Sequence, residues 1–308
     1  MAESQHSRVA CLVVSYFSAD AVGELLASLP AARGDAELRV SVLDNSCDDA
    51  AFAELIAVVA ASPLERDAVV LTRNEVNSGY AGGNNRAFAA VADWSPDVVF
   101  VINPDVVVTG GSFGEAARRV RAGGDVLWGV PTIAHGDRLT GLGRLAVFTA
   151  RASVIEVGSN DHGRFHVTHP SGYFLGAAAE TWHRAGGLAE ELFLFCEEVD
   201  LTLRLGVDGA HVRSLDALSA AHSEGVATGS SPIAEEKSLV TYLHGTRSRV
   251  ILYRSHRALR WYLPAMLTAR VLWALALWPR VGRRESAAVL RGLWQGLRAP
   301  RGRPAATA

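Results

Sequence analysis

Residues 8–16 (RVACLVVSY) form an almost continuous apolar run rich in Val, the pattern of a central strand covered on both faces. Val22, Leu25, Leu26 and Leu29 then recur at helical spacing, with Ser18 suited to cap the segment and Pro30 to close it. The alternation repeats. A strand is predicted over 38–43, a helix over 49–60 with Phe52, Leu55, Ile56 and Val59 inward, and a strand over 68–71. A Gly- and Asn-rich loop leads to a helix over 84–92, followed by a strand over 98–102, a helix over 112–122 and a strand over 126–130. Periodicity is poor over 132–168, which predicts irregular or hairpin structure, and 211–215 reads as a further strand.

Repeated βα units of this length predict a mainly parallel, Rossmann-like sheet flanked by helices, with right-handed crossovers. Ligands in such sheets bind beyond the carboxyl ends of the strands, near the switch in strand order. Ser15-Tyr16, Asp44-Asn45-Ser46, Arg73-Asn74 and Asn103-Pro104-Asp105 lie at those ends.

The chain has 308 residues, 20% of them charged, a length that suits one large α/β domain or a domain with an appendage. Three scattered cysteines, Cys11, Cys47 and Cys196, do not make a disulfide framework or a zinc cluster, and the cytosol is the expected compartment. MAESQHSRVA has no long apolar run behind a basic cap and does not read as a secretory signal. Charge is unevenly divided. From Arg254 onward there are eleven Arg against one acid, Glu285, a net +10, so the preceding 253 residues carry 19 basic against 31 acidic side chains. An acidic body suits a metal or polar substrate, and a basic tail suits an anionic surface. Residues 261–278 are mostly apolar but contain Pro264 and Arg270, which weighs against a spanning helix. Trp273, Trp278 and Trp294 among arginines suit a segment lying in a headgroup region, whereas two helices packed on the body with solvated arginines fit the same pattern.

The chemistry-bearing segments each have two readings. Asp44-Asn45-Ser46 and Asn103-Pro104-Asp105 could contact a nucleoside and a cation, or simply turn the chain. Three glycines within 79–83 before a helix let N–H groups approach an anion, or only permit the turn. Glu197, Glu198 and Asp200 crowd three carboxylates beside an apolar stretch, which suits a general base; acids also favour a first helical turn, and Asp200–Arg204 is an i,i+4 pair. His222 could complete a metal or phosphate site, though most lone histidines do not. P-loop, GxGxxG and HExxH signatures are absent, and a Ser-His-Asp hydrolase with a GxSxG elbow is not supported.

In order along the chain, VVSYFS, DNS, NSGYAGGNN, NPDV, SGYFLG, FLFCEEVDLTLR and AHSEG resemble the family 2 glycosyltransferases of the GT-A fold, most of all the rhamnosyltransferase-type members. The resemblance covers Val9 to Gly225 and implies a GT-A catalytic domain over 1–225; the composition of 226–308 is that of a C-terminal helical, basic region able to associate with an anionic membrane. The resemblance implies a nucleotide-sugar donor, dTDP-L-rhamnose as the best guess, used with inversion, and a divalent cation, Mg²⁺ or Mn²⁺. The acceptor would be a saccharide, lipid-linked or small-molecule hydroxyl in cell-surface polysaccharide or glycolipid synthesis, with no nucleic acid involved. Ser15, Tyr16 and Asp44 would line the nucleoside pocket, with Asn77, Gly79 and Asn84 beside the nucleotide. Asp105 and His222 would approach the metal and diphosphate, and Arg204 would orient the acidic helix or serve the donor site. The base would be Glu198, with Glu197 and Asp200 as alternatives, because the pair is Glu-Glu where the family usually has Glu-Asp. One carboxylate in Asn103-Pro104-Asp105 in place of two weakens the metal motif. A catalytically inactive nucleotide-binding scaffold is the competing expectation.

Overall fold

The computed structural model describes residues 6–134, 138–156, 165–206, 211–223 and 237–301. The first half follows the predicted alternation: β1 (Arg8–Ser15), α1 (Ala19–Ala32), β2 (Glu37–Asp44), α2 (Asp49–Ala60), β3 (Val69–Arg73), α3 (Gly79–Ala89), β4 (Val98–Ile102), β5 (Val106–Gly111) and α4 (Phe113–Gly123). Short strands β6 (Leu127–Gly129) and β7 (Thr132–Ala134) precede β8 (Arg138–Ala146), β9 (Ala152–Glu156), β10 (His166–Pro170) and β11 (Phe174–Ala178). Then come α5 (Ala179–Ala185), α6 (Glu197–Arg204), β12 (Val212–Ser214), β13 (Leu218–His222), α7 (Leu239–Ser255), α8 (Arg257–Arg260), α9 (Leu263–Arg280) and α10 (Arg283–Arg298).

Seven strands form the main sheet in the order β12-β6-β11-β4-β1-β2-β3. β1 pairs in parallel with both β2 and β4, which puts the switch in strand order at β1 and opens a crevice beyond Ser15. Val9, Cys11 and Val13 face one apolar cluster and Ala10 and Leu12 the other, so the unbroken apolar run of β1 is explained by burial on both sides. β11 runs antiparallel to β4 and β6, so the sheet is mixed at that flank.

The poorly periodic stretch over 132–168 is the hairpin-rich part of a second sheet, β10-β8-β7-β13-β5, with β9 paired to β8. Several boundaries differ from the sequence expectation. α1 continues through Pro30, because a proline in the last turn forfeits only one helical bond, and Ser18 makes no side-chain cap. α3 begins at Gly79, five residues before the predicted start. The glycines read as loop lie inside the helix, where a Cβ on Gly83 would stand 2.8 Å from Val14 Cγ2; their absence of side chain lets the helix lie against β1.

The C-terminal helices pack on one another through Tyr242, Ala274, Leu277, Ala288 and Val289, and also share a core with the body. Val250, Leu252, Tyr253, Leu259, Met266 and Leu293 share one apolar cluster with Leu145, Val147, Cys196 and Val199. The expected division at residue 225 falls outside the described residues. No helix among the described residues is long and apolar enough to cross a membrane.

Candidate active site

The carboxyl ends of β1, β2 and β3 are tied into one rim: the Asn45 N–H donates to Ser15 O at 2.8 Å, and the Asn74 N–H to Asp44 O at 2.9 Å. Ser15 Oγ lies 3.1 Å from Ser18 Oγ, while Tyr16 beside it is exposed and packs edge-on against Phe17. Asp44 is almost fully buried. Its Oδ1 accepts from the Ser46 N–H at 3.0 Å, and its Oδ2 has no hydrogen-bond partner, with Arg73 Nε 3.7 Å away. An under-satisfied carboxylate oxygen in a crevice is the type of acceptor a base or ribose donor would complete.

The Asn-rich loop holds itself. Asn45 Nδ2 donates to Asn77 Oδ1 and to Gly79 O, both at 3.0 Å, and Asn45 Oδ1 accepts from Asn74 Nδ2 at 2.8 Å and from the Ser78 N–H at 3.1 Å. Asn77 Oδ1 also takes the Gly79 N–H at 2.8 Å. Asn84 is wholly buried and donates to Tyr80 O at 2.9 Å, with its own Oδ1 unpartnered. The side chains of Asn77 and Asn84 therefore set the shape of the helix start and do not project from it. Gly79, at φ +71°, is required here twice over: a Cβ would come within 2.3 Å of Phe193 O, the atom that accepts the Tyr80 N–H at 2.7 Å. This contact joins the start of α3 to the loop leading into α6, where Phe193, Phe195 and Cys196 all hold left-handed backbone conformations. Three bulky or buried residues in that region within four positions concentrate strain immediately before the acidic pair.

Across the rim, Asp105 and His222 meet although 117 positions separate them, with His222 Nε2 3.1 Å from Asp105 Oδ1. A carboxylate accepts, so Nε2 carries the proton and Nδ1, buried without a partner, is left as an acceptor. Tyr173 stacks on the imidazole at 4.8 Å, and Asn103 Oδ1 is likewise buried and unpartnered. No group of three His, Cys, Asp or Glu side chains among the described residues is arranged to hold a metal. Asp105, two positions from the unpartnered Asn103 Oδ1, fits a cation that takes most of its ligands from substrate phosphates and water, the usual habit of Mg²⁺, with His222 able to join only by releasing its bond to Asp105.

Glu197 and Glu198 open α6 and differ sharply in surroundings. Glu197 is 3% exposed with Oε1 unpartnered, and burial, reinforced by the charge of Glu198, pushes its carboxyl well above the usual range. Glu198 keeps 18% of its side chain accessible; Oε1 lies 3.7 Å from His169 Nδ1, which also stands 2.9 Å from Pro170 O, and Oε2 faces Gly172. The Tyr80 hydroxyl donates to Gly172 O at 2.6 Å. Burial raises the proton affinity of that phenol, and the charges of Glu197, Glu198 and Asp105 raise it further. Gly172 and Tyr173 link the acidic pair to the Asp105–His222 pair, since Gly172 faces Glu198 and Tyr173 stacks on His222.

Asp200 faces away from this rim. Its Oδ2 accepts from Arg204 Nε at 2.6 Å and its Oδ1 meets His256 Nε2 at 2.7 Å. Arg204 spends its other nitrogens on Ala185 O and on Gly187 O, the latter at 2.7 Å. The two are a buried structural knot that joins α6 to α5 and α7, and neither has a group left for a ligand. Sequence reasoning passed over Tyr80 and Tyr173, which stand inside quoted motifs, and His169 and His256, which carry no local signal.

Glu197 makes stability depend on pH. A carboxyl whose folded-state affinity for a proton is raised contributes fully below the unfolded value, about 4.3, and its contribution is lost as pH rises through the folded value. Glu197→Gln is expected to remove that decline. Urea unfolding at pH 5 and pH 8 checks it: the variant should gain on wild type at pH 8, and equal slopes with pH in both proteins would contradict the assignment.

No protein-family model matches the sequence, and no curated protein matches it. Solved structures do resemble the fold. S. aureus TarS 1–349 in complex with UDP-GlcNAc aligns with a TM-score of 0.54 at 14% identity, over 95% of this chain and 82% of that one. The mannosyltransferase PcManGT from Pyrobaculum calidifontis, in complex with GDP-Man and Mn²⁺, aligns at 0.52 and 13%, over 96% and 88%. GalNAc-T7 with UDP, GalNAc and Mn²⁺ aligns at 0.50 and 11%, over 81% of this chain, which spans about half (51%) of that protein. The chain has the GT-A glycosyltransferase fold, with a C-terminal helical region.

Proposed function

We propose that this protein is an inverting glycosyltransferase that moves a sugar from a nucleoside diphosphate to an acceptor hydroxyl, with Glu198 as general base. The observation that carries the reading is that the Gly172–Tyr173 segment meets an accessible Glu198 and the Tyr80 hydroxyl at Gly172 and stacks at Tyr173 on His222, the partner of Asp105, at the rim where ligands enter such sheets. Burial raises the proton affinity of Glu197, and the more accessible Glu198 is the better placed of the two to act as base. The acceptor oxygen attacks the anomeric carbon as Glu198 takes its proton; the bond from that carbon to the diphosphate oxygen breaks, and the nucleoside diphosphate leaves with the electron pair. Asp105 and His222 would hold a divalent cation, which supplies charge neutralisation of the departing diphosphate. Asp44 and Ser15, with the exposed Tyr16, would receive the nucleoside.

The GT-A structures this chain resembles carry UDP-GlcNAc and GDP-Man, and the resemblance to rhamnosyltransferase-type sequences makes dTDP-L-rhamnose the proposed donor here. Transfer to a cell-surface polysaccharide or glycolipid is the matching process. Asp105→Ala is expected to weaken nucleoside diphosphate binding in Mn²⁺ by at least about tenfold, since a charged contact to phosphate is worth roughly 1.5 to 3 kcal/mol. A titration of free nucleoside against nucleoside diphosphate, with and without Mn²⁺, checks it, and cation-independent binding in the wild type would overturn the metal role. The single carboxylate at 103–105 favours one alternative, a scaffold that binds nucleotide without turnover. Hydrolysis of any donor in a nucleotide-sugar screen decides against that alternative.

The C-terminal helices are proposed to rest on an anionic membrane. Val271, Leu275 and Trp278 on α9 and Leu290, Trp294 and Leu297 on α10 form two exposed apolar stripes with the same i, i+4, i+7 spacing. Arg283 stacks over Trp278 at 5.2 Å and Arg298 over Trp294 at 4.3 Å, which places cations at the edge of each stripe. Each Arg near such a surface contributes about 1 kcal/mol, so flotation with anionic vesicles should be strong at low salt and fall at high salt. Trp278→Ala with Trp294→Ala should abolish it. Deleting residues after 260 is a poorer test, because Met266 and Leu293 would leave the apolar cluster shared with α6 and β8; the truncated body is expected to unfold.

A further inference from the structure

Behind the acidic helix lies a concentration of positive charge that the donor site does not use. Arg249 on α7 and Arg270 on α9 donate to the same atom, Ala150 O, from Nε and Nη2 respectively, each at 2.7 Å. Two guanidinium groups are thereby held side by side on one carbonyl oxygen. Arg249 Nη1 also bonds Gly245 O, and Arg270 Nη2 reaches Thr149 O at 3.1 Å, while Arg270 Nε is buried without a partner. Burial, with the charges of Arg249, Arg270 and Arg151 added, lowers the proton affinity of Lys237, and burial beside Arg249 brings Arg270 down to about 9. Among the described residues, none of these four cations is ion-paired with a carboxylate.

Like charges held together out of water are unfavourable unless something opposite in charge completes the site. The cluster also adjoins the reacting groups: the buried Cys196 thiol feels Arg249 and Arg270 together with Glu198 and Glu197, and a Cβ on Gly245 would lie 3.1 Å from Arg249 Nη1 and 3.7 Å from Phe195 Cδ2. At the same hairpin, Phe148 and Phe165 are exposed, and Phe148 packs against Phe165 at 5.3 Å and against Tyr262 at 5.0 Å. A pair of guanidinium groups on Ala150 O, with the exposed ring of Phe148 two positions away, suits a phosphate ester with an apolar part. Planar guanidinium forks grip such phosphates through paired N–H groups.

We propose that Arg249 and Arg270, with Lys237 near them, form a second anion site, on the acceptor side of Glu198, that binds a phosphate or diphosphate group carried by the acceptor. This rests on the glycosyltransferase reading for the word acceptor, but the anion site itself does not. Phosphate held there fixes one end of the acceptor while its hydroxyl is presented to Glu198, which is how binding energy remote from the reacting atoms becomes orientation.

Calorimetric titration of the full chain with inorganic pyrophosphate in EDTA tests the site without a cation-dependent contribution from Asp105. Wild type should bind, and Arg270→Gln and Lys237→Ala should each weaken binding at least about tenfold. Absence of binding in wild type, or equal binding in the variants, overturns the proposal. Lys237→Ala removes a half-exposed side chain with no hydrogen bond among the described residues, so it decides the matter if Arg270→Gln fails to fold. Nucleoside diphosphate affinity in Mn²⁺, measured in parallel, should be unaffected by either variant. Loss of that affinity in wild type with intact, variant-sensitive pyrophosphate binding would overturn the glycosyltransferase reading and leave the anion site standing. Vesicles containing phosphatidic acid separate the sources. Sensitivity of vesicle binding to the same two variants assigns the phosphate to a lipid, and insensitivity alongside sensitive pyrophosphate binding assigns it to a soluble ester.

Discussion

Glu198→Gln is expected to lower sugar transfer by about 10² to 10⁴ while leaving donor affinity within a few-fold of wild type. Glutamine keeps the shape of the side chain and its approach to Gly172, but it cannot take a proton from the acceptor hydroxyl. Donor contacts are assigned to other elements, at the ends of β1, β2 and β4, so the effect should fall on turnover and not on nucleotide binding. The same substitution relieves the charge that raises the Glu197 carboxyl, since Glu198 is the largest charged contributor there. Glu197 in the variant should therefore ionise at a lower pH than in wild type. Steady-state transfer and nucleotide titration on the folded variant check the first effect. Near-normal turnover would remove Glu198 as the base and leave Glu197 the remaining carboxylate of α6 facing the rim, because Asp200 is bound by Arg204 and His256.

Arg204→Ala is expected to destabilise the protein by about 3 to 5 kcal/mol, the usual cost of leaving a buried charge without its partner. Both Arg204 and Asp200 are nearly inaccessible, so solvent cannot take over from the lost guanidinium. Ala185 O and Gly187 O lose their donors at the same time. A fall in melting temperature on the order of 10 °C should follow. Replacing both members of the pair, Asp200→Leu with Arg204→Met, should recover part of the loss, since the uncompensated carboxylate is then gone; His256 would keep some penalty by losing its own partner. Thermal and urea denaturation measure this, and a loss below about 1 kcal/mol for Arg204→Ala would show that α6 is held chiefly by its apolar face.

The alternation of apolar runs and helical stripes was sufficient to read the sheet from β1 through β4, because strands buried on both faces leave unbroken Val-rich segments. The location of the site at the strand ends followed from the same reading. Hairpins over 132–168 gave only a weak signal, since they form a second sheet whose strands are partly exposed and whose pairing partners, β5 and β13, are distant in sequence. The start of α3 was obscured for a different reason. Gly82 and Gly83 have poor helix propensity, and only their close approach to Ser78 and to β1 explains them inside a helix.

The charge asymmetry was plain in the sequence, but its use was not. Arg270 interrupts an apolar run and reads as a solvated or lipid-facing cation; in the fold it turns inward to Ala150, 120 positions away. Likewise Asp200 and Glu198 stand two residues apart on one short helix and look interchangeable. Helical geometry points them to different sides, so that one is enclosed by Arg204 and His256 while the other meets the rim. Residue types, order and periodicity, which are local properties, thus determined the fold class and pointed to the strand ends as the candidate site. Which carboxylate is accessible, which is buried with its proton affinity raised and which cations lack a counter-charge among the described residues are properties of burial and of contacts between distant segments, and only the packing of α6 against the sheet and the C-terminal helices decided them.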